Sequence, residues 1–64
     1  MESRLLTGHE VAQKLNISKS FAFLLMQRGE IPTVRLGRLV RVRQEDLGQF
    51  IEQSIENKPH LVLK

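Results

Sequence analysis

No cysteine occurs among the 64 residues, so neither disulfide staples nor a cysteine-ligated zinc site can support the fold. Secreted domains of this size usually rely on such staples, and their absence points to a reducing cytosol. Long apolar runs are missing too. The opening "MESRLLTGHE" lacks the apolar core of about 7–15 residues that a secretory leader needs. Nothing approaches the roughly 18 consecutive apolar residues of a membrane helix. A soluble, cytoplasmic protein without membrane contact is expected. Catalytic equipment is equally scarce, with no glycine-rich phosphate loop and no nucleophile beside a base. Glu45 and Asp46 are neighbours on one expected helix and point apart, so they make no acid/base pair. The two histidines, His9 and His60, have no cysteine or carboxylate cluster to complete a metal site. No enzyme, cofactor, metal or small-molecule substrate is expected.

So short a chain makes one domain, which buries only about 60% of the surface its unfolded form exposes. That domain is expected over residues 1–56, followed by a tail at 57–64. No repeat, linker or low-complexity segment interrupts it. Charge is unevenly spread. Residues 1–43 carry eight Lys/Arg against three acids, whereas residues 44–64 carry two against four, within a total of +3. A basic part joined to an acidic part suggests a polyanionic partner on one side only.

Thr7 to Glu10 reads T-x-x-E, a capping box that starts a helix near Gly8. Val11, Ala12 and Leu15 give that helix its apolar face, with Leu5 or Leu6 available as a staple ahead of the cap. Asn16 suits a left-handed turn, Ile17 plugs the corner, and Ser18 is a natural N-cap. A second helix is expected from about Lys19 to Arg28, with Ala22, Leu25 and Met26 inward. Gly29 closes it as a left-handed cap, and Pro32 prevents continuation. From Thr33 the period shortens to two: "TVR" and "LVRVR" flank Leu36-Gly37-Arg38 as a hairpin. Val40 and Val42 share one of its faces, Leu39, Arg41 and Arg43 the other. A third helix begins near Gln44, with Glu45 and Asp46 in its first turn where the dipole favours anions. Leu47, Phe50, Ile51 and Ile55 form its stripe. Asn57 and Pro59 end it ahead of "HLVLK".

The expected fold is mainly α with a small β-hairpin: a helix-turn-helix carrying a wing, with Ala12 at the helix crossing. An αα-hairpin in a small bundle shares the helix spacings, but four arginines in "RLGRLVRVR" after the second helix favour a winged DNA-binding unit. On Leu6, Thr7, Glu10, Ala12, Gly29, Ile31, Pro32, Arg35, Leu36, Gly37, Arg38, Asp46, Leu47 and Phe50, the chain resembles excisionase-type, MerR-like winged helix-turn-helix domains of phages and mobile elements. The likeness spans about residues 5–52.

That resemblance implies double-stranded DNA as partner, with the second helix in the major groove and the wing on the backbone or in the adjacent minor groove. Ser18, Lys19, Ser20, Phe21, Gln27 and Arg28 would then be recognition-helix contacts, and Arg35, Gly37, Arg38 and Arg41 the wing contacts. It further implies a role in recombination directionality or transcription regulation, on the nucleoid of a prokaryotic or phage-infected cell. Phe23 matches the family's aromatic, but Phe21 and Leu24 stand where polar, base-reading residues are usual. Two readings are open for them. Phe21 contacts thymine methyl groups, or Phe21 and Leu24 form an apolar patch that docks an integrase, a polymerase or a second copy. Lys14 reads more simply as a solvated helix charge. Arg43 either contacts DNA or pairs with Glu45 or Asp46.

Overall fold

The computed structural model describes residues 4–56. Six elements follow in order: β1 (Leu5–Leu6), α1 (Gly8–Leu15), α2 (Lys19–Gln27), β2 (Val34–Leu36), β3 (Leu39–Arg43) and α3 (Gln44–Ser54). Among the described residues, no helix is long and apolar enough to cross a membrane.

Local chemistry sets the helix starts. Thr7 Oγ1 accepts from the Glu10 N–H at 3.0 Å, and the Glu10 carboxylate accepts from the Thr7 N–H at 2.9 Å. Both bonds satisfy donors that a helix start leaves orphaned. Ser18 Oγ does the same for the Phe21 N–H at 3.1 Å. Between these caps Asn16 turns the chain with φ of 59°, and the Ile17 N–H reaches back to the Ala12 carbonyl at 3.0 Å. Gly29 adopts φ of 80°, letting the Glu30 N–H bond the Leu25 carbonyl at 3.0 Å. The helix pair and its tight turn are therefore written in caps.

The core is contiguous. Val11 and Ala12 of α1 meet Ala22, Leu25 and Met26 of α2, Ile31 of the connection, Leu6, Val42 and Leu47. Leu15, Ile17, Val40 and Phe50 pack at its margin. Ala12, expected at the crossing, and Ala22 are both buried in this cluster, on α1 and α2 respectively.

Two expectations need correction. The sheet has three strands, not two, in the order β1-β3-β2 with both pairings antiparallel. Leu6 is not merely a staple: it pairs with Val42 and is fully buried. A two-residue strand is too short to display a period, and its partner lies 36 positions away in sequence. The α3 stripe is also narrower than expected. Leu47 is buried and Phe50 half-buried, but Ile51 and Ile55 are 42% and 46% exposed. Leu47 lies in the first turn, where α3 leaves the sheet. Phe50, one turn on, still reaches the margin of the core, whereas Ile51 and Ile55 are not among the residues packed on it. The helix itself stops at Ser54, and Ile55 is already extended. Asn57, Pro59 and the "HLVLK" tail lie outside the described residues.

Candidate nucleic-acid interface

The spacing of buried positions orients α2. Ala22, Leu25 and Met26 face the core, so at about 100° per residue Ser20, Leu24 and Gln27 lie opposite them. Lys19 and Phe23 flank that outward face on the side of the sheet, Phe21 and Arg28 on the far side. All seven are exposed. Lys19 to Gln27 contains no acidic residue.

The hairpin supplies the second surface. Leu36 pairs with Leu39 across a two-residue turn, Gly37-Arg38. Gly37 has φ of 64°, and Arg38 has no positive φ. That pattern fits a type II′ turn, in which only the first central residue needs the left-handed region. A side chain at position 37 would be strained, so the turn requires glycine, and the Arg38 side chain stands at the tip. Arg35 pairs with Val40 and shares its side of the hairpin, whereas Arg41 pairs with Val34 on the opposite side.

Helix and wing meet around one aromatic ring. A first cleft is lined by Phe23, Met26, Gln27, Thr33, Arg35 and Val40. A second, wider groove is lined by Thr7, Gly8, His9, Lys19, Phe23 and the β3 side, Arg38 to Arg41. Phe23 and Val40 belong to both, so the Phe23 ring divides them. It lies so close over Gly8 that a β-carbon there would run into its far edge. Among the described residues, Lys19, Arg35 and Arg38 form no ion pair and are exposed. Their charges point at these clefts without internal neutralisation.

The remaining expected contacts divide. The Ser18 hydroxyl is engaged in capping α2. Arg28 pairs with Glu30 at 3.1 Å on the surface. Arg41 is half-buried, and its guanidinium donates to the Val40 carbonyl at 2.9 Å while lining the wide groove. Arg43 does not join the basic surface. It binds Asp46 through two donors at 2.7 and 3.1 Å and lies 3.8 Å from Glu45, so the pairing alternative holds. Those carboxylates raise the Arg43 pKa above its ordinary value. Glu10 is held below its ordinary 4.5 chiefly by the Thr7 N–H; burial opposes this, and the nearby Arg4 adds to the lowering. Phe21 and Leu24 are 46% and 41% exposed. Sequence reasoning had no signal for His9 or Thr33 as cleft residues, because only the sheet-to-helix packing puts them there.

A family model described as a helix-turn-helix domain matches residues 5–54. The chain belongs to that family. The resemblance drawn from Leu6-Thr7, Gly29 to Pro32 and the wing is thereby borne out, and the three helices with a β wing match its fold. Two relatives from Mycobacterium tuberculosis are each 38% identical over 53 residues, covering 83% of this chain and 68% of theirs. They carry the names "Putative DNA-binding protein MT0521" (strain CDC 1551 / Oshkosh) and "Putative DNA-binding protein Rv0500A" (strain ATCC 25618 / H37Rv). The "Uncharacterized protein YvgK" of Bacillus subtilis (strain 168) is 41% identical over 49 residues, which are 77% of this chain but 16% of that protein. No solved structure matches the chain significantly.

Proposed function

We propose that the chain is a non-catalytic protein that binds double-stranded DNA. In this reading α2 enters the major groove while the wing crosses the backbone toward the adjacent minor groove. The observation that carries it is the set of unpaired cations, Lys19, Arg35 and Arg38, around the paired clefts where α2 meets the wing. Such a set attracts phosphates without regard to sequence. The family match and the names of the mycobacterial relatives support the same partner. The biological role is of the excisionase type, in recombination directionality or transcription regulation, exercised on cytoplasmic, nucleoid DNA. One module of this size covers only about 600–1,000 Å² of protein surface on DNA. Useful affinity then calls for adjacent copies or a DNA-bound integrase.

A second reading has an observation of its own. The exposed Phe21 and Leu24 favour a protein-interaction module that docks an integrase, a polymerase or another copy. Fluorescence anisotropy against random duplex DNA and against the gene's own flanking DNA, at two salt concentrations, separates the readings. With about five phosphates neutralised, log K should fall with log salt at a slope of about −4.5, nearly three decades between about 50 and 200 mM. Absence of binding at the lower salt, or binding indifferent to Arg35→Ala with Arg38→Ala, would sink the DNA reading.

A further inference from the structure

We infer that Leu24, with Phe21 beside it, reads the 5-methyl groups of thymine, so that the preferred target is rich in A·T pairs. The inference rests on the DNA-binding reading and names what the recognition helix selects. Leu24 sits at the centre of the outward face, opposite Ala22, Leu25 and Met26, between Ser20 and Gln27. It is 41% exposed, and Phe21 is 46% exposed three residues earlier, on the same side of the helix. The core leaves both of them uncovered.

Major-groove chemistry then decides what covers them. A guanine edge offers two acceptors and a cytosine edge a donor, and a leucine pressed against either strips water without returning a hydrogen bond. The thymine methyl is the apolar group that the groove presents. The polar neighbours agree. Gln27 has the paired donor and acceptor that match an adenine edge, and Ser20 accepts any base. Guanine is usually read by an arginine or lysine, and neither stands at the centre of this face. Arg28 lies at its margin and is tied to Glu30. Lys19 lies at the other margin, in the groove shared with the wing. The absence of any carboxylate from Lys19 to Gln27 suits a polyanion as the occupant, whereas a basic protein partner would find no complement there.

The test uses the full chain and one chemical change in the DNA. Duplexes selected from a random library should be enriched in A·T pairs over a core of a few base pairs. On the selected duplex, replacing thymine by uracil removes only the methyl groups. Wild-type affinity should fall by about fourfold per contacted methyl. Leu24→Ser should bind weakly and no longer distinguish thymine from uracil. Equal wild-type binding to both duplexes overturns the inference and leaves DNA binding standing, whereas no binding to any duplex overturns both. Leu24→Ser that leaves single-site affinity and methyl discrimination intact but abolishes cooperative binding on longer DNA also overturns it, in favour of contact between copies. The uracil comparison needs only the wild-type protein, so a poorly folding variant does not spare the inference.

Discussion

The second helix and the end of the third both leave large apolar side chains in water, and their surroundings differ in sign. On α2, Phe21 and Leu24 sit between Lys19 and Arg28 with no acid in the helix. At the end of α3, Ile51 and the extended Ile55 just past it lie beside Glu52 and Glu56, downstream of Glu45 and Asp46. Exposed apolar area alone would not tell the two apart. Charge does, because a polyanion is drawn to the first face and repelled by the second. The contrast also orients the molecule, since α3 leaves the sheet at the strand that carries Arg41 and Arg43.

Reversing the sign of the basic side should break the contrast most severely. Arg35→Glu with Arg38→Glu is expected to weaken binding to random duplex DNA by at least about a hundredfold at low salt. The salt slope should flatten by about two, as measured by anisotropy. Next comes the start of α2. Ser18→Ala removes the cap on the Phe21 N–H and should cost about 1 kcal/mol in urea unfolding, without changing the salt slope in proportion.

The first cap offers a pH handle. Because the Glu10 pKa is lower folded than its ordinary 4.5, its contribution is present above that value and lost as pH falls through the folded one. Glu10→Gln should therefore melt below wild type near neutrality, and the gap should close on acidification. A smaller effect is expected where ring and glycine meet. Gly8→Ala must push Phe23 aside, and because that ring is half exposed the stability change should stay under about 1 kcal/mol. DNA affinity should drop a few-fold as the cleft is reshaped. Smallest of all, Ile51→Ser with Ile55→Ser should leave stability within about 0.5 kcal/mol and DNA affinity unchanged, while the same serine change at Leu24 does not.

Much of the fold is legible in the sequence because local rules write it. The T-x-x-E box, Asn16, Ser18, Gly29 and Gly37 each dictate a backbone state within a few residues, and the structure has all five. What escapes legibility depends on distant partners. The β1 strand is defined by β3, the Phe23 ring by Gly8, and the groove that His9 and Lys19 help to line by the wing residues across it. Helical period alone overstates α3, because a stripe is buried only where another element stands opposite it. For the basic surface, sequence placed Arg35 and Arg38 in the wing correctly. It left Arg43 between two roles, and the short reach to Asp46, three residues on along α3, settles that one.

The last strand passes into α3 without an intervening residue, Arg43 ending one and Gln44 beginning the other. Arg43 is clamped to Asp46 across that joint, and the Gln44 N–H bonds the Arg4 carbonyl beside it at 3.0 Å. A hinge needs slack residues, and this joint has none. The wing strand and α3 are therefore two limbs of one bracket, with the Arg43–Asp46 pair as its brace. A push on the wing is passed on to α3 rather than absorbed at the corner.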